Sequence, residues 1–300
     1  MAVGIVGVGQ MGHGIAACIL QAGHRLSFMV HPGNQPTDDL LALGACALES
    51  PAAVAERSEV VVLCVNGSAQ VEEVVHGMPD RAGLLAGLRP ESIVVDCSTS
   101  LPNSTRQLAR AIAARGAHML DAAMTRTPRE AALGKLNLLV GGDAQVLMRC
   151  MPLLQCFSET LTHAGPIGCG HQMKLIHNFA SIGSVVLLAE AAASSRHAGI
   201  DDAVLVKILS EGGAWGAALD RLRPYLLHAD ISALRFSLDN ALKDLRYYCA
   251  MVQETPASGA PPNAHALGEA VRITLEAACA GGDASRALPT IVDWMAPERT

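Results

Sequence analysis

The chain has 300 residues, half of them apolar and few aromatic, enough for two domains or one large one with a substantial core. Its formal charge is −6 with the basic residues dispersed, which leaves no electrostatic footprint for nucleic acid. No uninterrupted apolar run reaches the ~18 residues needed to cross a bilayer, and the nine cysteines show neither a C-x-x-C pair nor metal-ligand spacing.

The first residues carry no basic n-region, so no signal peptide is expected, and Ala2–Val6 reads directly as a strand. It is followed by Gly7-Val8-Gly9-Gln10-Met11-Gly12 and a helix over Met11–Ala22. That is G-x-G-x-x-G in the strand–turn–helix setting that a dinucleotide site requires. Gly7 permits the tight turn, Gly9 lets a pyrophosphate approach the backbone, and Gly12 lets helix and strand pack closely. The plainer reading is an ordinary βα turn, but its place at the head of a βαβ series speaks for the dinucleotide.

The next strand, Arg25–Val30, runs into His31-Pro32-Gly33-Asn34. An acid here would hold a ribose 2′-hydroxyl and an arginine a 2′-phosphate. This segment has neither. His31 and the turn amides can hold a phosphate, which favours NADP(H), with NAD(H) as the alternative cofactor.

Strands at Val60–Val65, Ser92–Asp96, Ala117–Leu120, Leu136–Val140 and Leu161–His163 alternate with helices at Asp38–Leu43, Pro51–Glu56, Ala69–His76, Pro102–Arg115 and Asp143–Leu154. This alternation predicts a doubly wound parallel sheet. Cys18, Cys64 and Cys97 fall inside apolar segments and read as reduced core residues of a cytoplasmic protein.

From Gly168 the pattern is helical to about His197, and Gly199 is its stop. Further helices are expected through Val204–Leu209, capped by Asp201 or Asp202, and over Gly216–Leu227, Leu238–Val252, Ala264–Ala280 and Ser285–Trp294. Thr255–Pro262, rich in Pro, Gly and Ala, is a connection. The expected fold is α/β: an N-terminal Rossmann dinucleotide-binding domain over residues 1–163, then an all-helical substrate and dimerisation domain over 164–300, joined by a long helix. A helix of ~30 residues spans ~45 Å. That exceeds one small domain, so part of it is expected to pack on a second subunit, in a homodimer or homotetramer.

The segment Gly165-Pro166-Ile167-Gly168-Cys169-Gly170-His171-Gln172-Met173-Lys174-Leu175-Ile176-His177-Asn178 places a lysine and an asparagine four residues apart after a glycine-rich turn. At that spacing both side chains share one helix face. An ammonium beside a carboxamide is a proton donor with an orienting amide. Apolar surroundings disfavour the charged lysine and bring its proton transfer towards working pH. The plainer reading of Lys174 is a lysine snorkelling from a buried helix. His171 and His177 flank it without spacing partners for a metal, and read as structural.

These residues resemble the β-hydroxyacid dehydrogenase family, also called the 3-hydroxyisobutyrate dehydrogenase family, over nearly the whole chain. Gly7 to Gly12 with Ala22-Gly23-His24 is similar to its G-x-G-x-M-G…A-G-H opening, and Asp96-Cys97-Ser98-Thr99 to its D-x-S-T loop near the nicotinamide. Gly165 to Asn178 resembles its catalytic segment, and Lys243-Asp244-Leu245 its K-D-L motif. The resemblance implies an NAD(P)-dependent oxidoreductase that interconverts a short β-hydroxy acid and its semialdehyde. Lys174 is then the general acid/base, with Asn178 as its catalytic partner. The implied cofactor residues are Gly7, Gly9, Gln10, Met11, Gly12, Val30, His31, Cys64, Val65, Thr99 and Lys243.

One segment departs from the family pattern. Where the family usually has D-A-P-V-S-G-G as its substrate loop, this chain has Asp121-Ala122-Ala123-Met124-Thr125-Arg126-Thr127. Arg126-Thr127 replaces two glycines and resembles the sulfolactaldehyde reductase branch, whose Arg-Thr holds a sulfonate. Ser98, Thr125, Arg126 and Thr127 are therefore the substrate-binding candidates, for a carboxylate or sulfonate head. The plainer readings are an Arg126–Glu130 surface pair, loop or cap roles for Ser98, Thr99 and Thr127, a Lys243–Asp239 pair, and a core Trp215 in place of a pocket wall. The alternatives in function are an imine reductase on the same scaffold, whose members generally replace the lysine, and a non-catalytic dinucleotide-binding module.

Overall fold

The computed structural model describes residues 1–254 and 264–296, so the connection expected over Thr255–Pro262 lies outside the described residues. The chain divides into two compact units, Met1–Lys174 and Leu175–Thr300. The last strand of the sheet continues to Gly165, and the start of the following helix is hydrogen-bonded to the sheet.

The first unit begins β1 (Ala2–Val6), α1 (Gln10–Gln21), β2 (Arg25–Met29), α2 (Asp38–Ala42), β3 (Cys46–Leu48), α3 (Pro51–Glu56) and β4 (Val60–Leu63). It continues through α4 (Ser68–His76), a small hairpin of β5 (Gly77–Met78) and β6 (Arg81–Ala82), α5 (Leu84–Gly87), β7 (Ile93–Asp96) and α6 (Pro102–Ala113). β8 (His118–Thr125), α7 (Pro128–Ala132), β9 (Leu136–Gly141), α8 (Ala144–Leu154) and β10 (Ser158–Gly165) complete the sheet, and α9 (Cys169–His197) starts here.

The strand order is β10-β9-β8-β7-β4-β1-β2-β3, parallel except between β8 and β9. β1, β4 and β7 are buried along their whole length. Parallel strands covered on both faces read as near-continuous apolar runs, which is why their sequences carry no alternation. The chain leaves β1 towards β2 and β3, then returns to lay β4 on the other flank of β1. The loops after β1 and β4 therefore diverge, and such a switch point is where open α/β sheets bind ligands.

Local signals account for the ends of these elements. Ser50 caps α3 by accepting from the Ala53 N–H, with Pro51 at the first helical position. Asp143 caps α8 through the Gln145 and Val146 N–H groups. Several elements differ from the sequence expectation, among them these three. β3 is only three residues long, too short to show a period. β8 runs on past Leu120 to Thr125 because β9 pairs with it in antiparallel register, Thr125 opposite Asn137, so most of the expected substrate loop is strand. α7 was not expected, although Thr127-Pro128-Arg129-Glu130 is a capping box with proline at the first turn.

The second unit comprises α9 from Leu175 on, α10 (Asp202–Glu211), α11 (Ala217–His228), α12 (Leu238–Glu254), α13 (Ala266–Ala280), a 3-10 turn at Leu288–Thr290 and α14 (Ile291–Met295). The single helix expected over Ser285–Trp294 is split because Pro289 removes a donor and disfavours the helical region for Leu288. Its core gathers Leu175, Ile182, Val186, Leu245, Leu275 and Ile291. Phe179 and Tyr248 stack with ring centroids 4.3 Å apart, and a Cβ on Gly268 would lie 2.6 Å from Tyr248, so glycine is what admits that ring. Arg196 joins α9 to α10 and α14 by bonding both Asp202 and Asp293. α9 is long and apolar enough, by length and composition, to cross a membrane. The uninterrupted-run reading missed this because polar residues punctuate it, and Ile182, Val185, Ala189 and Ala192 place it as a core helix instead.

Candidate active site

The loop after β1 is shaped by three glycines with different tasks. Gly7 has φ +95°, and a Cβ there would lie 2.2 Å from the Cys64 carbonyl oxygen. A Cβ on Gly12 would lie 1.9 Å from the Gly7 carbonyl oxygen, so α1 packs on the turn only without a side chain. Gly9 differs: the nearest atom to its Cβ would be the Gly33 carbonyl at 3.9 Å. The chain's own packing does not need glycine at this point, and the open backbone beside the first turn of α1, with Gln10 and Met11, fits a pyrophosphate. The residues present thus suit a dinucleotide cofactor.

At the end of β2, Val30 and His31 are exposed. The His31 Nδ1 accepts from the Gly33 N–H at 3.0 Å, which places the proton of a neutral ring on Nε2. Asn34, missed in the sequence, bridges two loops: its carboxamide donates to the Met29 carbonyl at 2.9 Å and accepts from the Val8 N–H at 3.1 Å. The two sides of the nucleotide loop are tied by one side chain.

The loops after β4 and β7 are linked in the same way. Ser98 Oγ accepts from the Val65 N–H at 3.1 Å, while buried Asp96 accepts from the Ser98 N–H at 2.9 Å and from Ser100 Oγ. Ser98 is therefore a loop-building residue, with Thr99 partly exposed beside it. Burial first, and the Asp96 carboxylate second, push the Cys64 thiol up to about 12, so Cys64 stays neutral at working pH.

In the segment after β8, Thr125 ends the strand and Thr127 caps α7 through Glu130. Arg126 does not pair with Glu130. Its Nη1 donates to Glu159 Oε2 and to the Lys135 carbonyl, both at 2.5 Å.

The start of α9 is fixed by Asp121, fully buried at the end of the parallel part of β8. One carboxylate oxygen accepts from the Gly168 N–H at 2.7 Å and the other from the His171 N–H at 2.8 Å. His171, also fully buried, makes a 2.7 Å hydrogen bond between Nδ1 and Thr105 Oγ1, with Asp96 Oδ2 3.7 Å from Nε2. Lys174 follows one turn later on α9 and is partly buried. His171 is structural as expected, but it belongs to a buried polar group at the carboxyl edge of the sheet, where ligands of this architecture lie.

In the second unit, Asn178 is buried and donates from Nδ2 to Asp244 Oδ2 at 2.6 Å, while His177 Nδ1 lies 3.0 Å from its Oδ1. Lys243 Nζ sits 3.3 Å from Asp244 Oδ1, the carboxylate next to it in sequence. Lys243 also lies 5.9 Å above the Tyr247 ring. The pairing of Asp244 with Asn178 is what sequence reasoning missed here. Trp215, two-thirds exposed, is not a core residue. Among the described residues, no group of three or more His, Cys, Asp or Glu is placed to hold a metal ion.

Comparison with known proteins gives a consistent result. Residues 2–165 match the family model described as the NAD binding domain of 6-phosphogluconate dehydrogenase. Residues 168–291 match that described as NAD-binding of NADP-dependent 3-hydroxyisobutyrate dehydrogenase. The chain is 34% identical over 225 residues to the NAD-dependent L-serine dehydrogenase of Pseudomonas aeruginosa, covering 74% of each. It is 33% identical over 245 residues to the 3-sulfolactaldehyde reductase of Escherichia coli, covering 81% of this chain and 80% of the relative. A solved 3-hydroxyisobutyrate dehydrogenase from Salmonella typhimurium superposes with a TM-score of 0.81 at 25% identity, over 98% of this chain and 99% of that one.

Proposed function

The chain belongs to the β-hydroxyacid dehydrogenase family and is an NAD(P)-dependent oxidoreductase, and from that premise we propose that it interconverts a short β-hydroxy acid and its semialdehyde, with Lys174 as general acid/base. The observation that carries the reading is the anchoring of α9. Asp121 bolts the start of that helix to the carboxyl edge of the sheet that bears the glycine loop, and Lys174 stands one turn on. The nicotinamide cofactor supplies the hydride when bound. Gly9, Gln10 and Met11 would hold its pyrophosphate, and His31 Nε2–H with the turn amides a 2′-phosphate, which favours NADP(H) over NAD(H).

In reduction, Lys174 Nζ gives a proton to the carbonyl oxygen of the substrate. In oxidation it takes one back. Asn178 bonds the same oxygen or fixes the lysine, and Asp244 orients its carboxamide. Arg126 is the proposed anchor for the anionic head. Relatives named for L-serine and 3-sulfolactaldehyde support a small anionic substrate with either a carboxylate or a sulfonate. They do not favour the imine reductase alternative. We also propose a cytoplasmic enzyme whose 29-residue α9 packs against a second copy in a homodimer or homotetramer. Mass photometry showing only a mass near 31.2 kDa would remove the oligomer.

The test of function is turnover, read by nicotinamide absorbance, on L-serine, 3-hydroxyisobutyrate, 3-sulfolactaldehyde and 2-hydroxy-3-oxopropionate, each with both cofactors. At least one should turn over, faster with the phosphorylated nucleotide. Loss of all four with retained cofactor binding, or activity only on cyclic imines, overturns the reading.

A further inference from the structure

Two backbone irregularities converge on one ion pair. Arg126 has φ +79°, in the left-handed region that a branched or bulky side chain rarely adopts. Glu159 is the extra residue at a bulge-like register shift: Ser158 pairs with Leu136 and Thr160 with Asn137, leaving Glu159 between them. A bulge re-aims the side chain it carries, and strained backbone persists where the surroundings hold it. Here the re-aimed carboxylate meets the guanidinium of the strained residue, Oε2 to Nη1. The nearer acid in sequence, Glu130, is engaged in capping Thr127.

We infer that Glu159 is a resident counter-anion: in the substrate-free protein its carboxylate holds the Arg126 guanidinium, and the anionic head of the substrate binds by exchanging with it. This rests on the reading of Arg126 as the anion anchor. Exchange replaces one carboxylate–guanidinium contact by another, so Arg126 need not lie uncompensated between turnovers. A ligand without an anion leaves the pair in place and gains nothing from Arg126. Glu159 thus sets how strongly an anion must bind, and is a specificity-determining residue.

The side chains of Arg126 and Glu159 are 30% and 47% exposed, so the pair is worth little and the exchange is easily made. Glu159→Gln and Glu159→Ala should each lower KM for 3-sulfolactaldehyde and 2-hydroxy-3-oxopropionate about two- to fivefold, with kcat held within about twofold. KM for uncharged glyceraldehyde should not move, and the gain should vanish in an Arg126→Ala background. An unchanged or raised KM for the anions in the Glu159 variants overturns the counter-anion, as does an equal fall for glyceraldehyde. Arg126→Ala alone separates the two readings. If it leaves KM for the anions unmoved, the anchor itself is lost whatever Glu159 does. If it raises KM while the Glu159 variants do nothing, only the counter-anion is lost.

Discussion

Lys174→Ala should lower kcat by about 10²- to 10⁴-fold while the dissociation constant for the reduced nucleotide stays within about twofold, because positioned proton transfer contributes on that order. The residues proposed to hold the nucleotide are Gly7, Gly9 and Gly12, with the loops tied by Asn34 and Ser98. A purely structural lysine would behave otherwise: its loss would lower melting temperature and leave kcat near the parent value. Two further readouts separate the cases. The variant should lose the limb of the pH–rate profile that the lysine titration supplies, and small primary amines added to the buffer should restore part of the rate. A variant that turns over within tenfold of the parent removes the lysine from the mechanism.

Asp121→Ala should be the most damaging single change to the first unit. The carboxylate is fully buried and accepts two main-chain donors across 47 and 50 residues of chain. Without it, the Gly168 and His171 N–H groups lose their partners at a helix start, each costing roughly 1–3 kcal/mol. A Cβ on Gly141 would lie 2.5 Å from Asp121 Oδ1, and one on Gly170 only 2.8 Å from Oδ2, so the pocket is built around this group. A loss of about 3–5 kcal/mol corresponds to a fall in melting temperature of roughly 6–20 °C. Asp121→Asn, which keeps one acceptor, should lose about half as much. Because Lys174 stands one turn beyond His171, kcat should fall in the asparagine variant even where it remains folded. A melting temperature within 2 °C of the parent for Asp121→Ala would show that the helix start is held by something else.

What the sequence disclosed and what it withheld divide along physical lines. Gly7, Gly9 and Gly12 were legible because a tight turn leaves its signature within six residues. The shared helix of Lys174 and Asn178 was legible because helical spacing is local. Asp244 as the partner of Asn178 lies 66 residues away, and Asp121 as the clamp on His171 lies 50 away. Such pairings are set by topology, which no local pattern encodes. Arg126 shows the same limit: a helical i,i+4 rule points to Glu130, whereas strand pairing brings Glu159 to it. α7 is a different case. Its capping box is local, Thr127 to Glu130, and a cap role for Thr127 is legible, but a five-residue helix is too short to show a period. β3 offered no such chance, since three residues cannot show a period.

The bridge made by Asn34 bears on any attempt to retarget the enzyme between nicotinamide cofactors. The turn proposed to discriminate the ribose and the turn proposed to grip the diphosphate share one carboxamide, so they cannot be swapped as separate parts. A graft that imports a foreign turn after Met29 would also release the Val8 amide, weakening both nucleotides together before any preference could emerge. Retaining an amide side chain at position 34, and varying only His31 to Gly33 around it, is the route that this geometry leaves open.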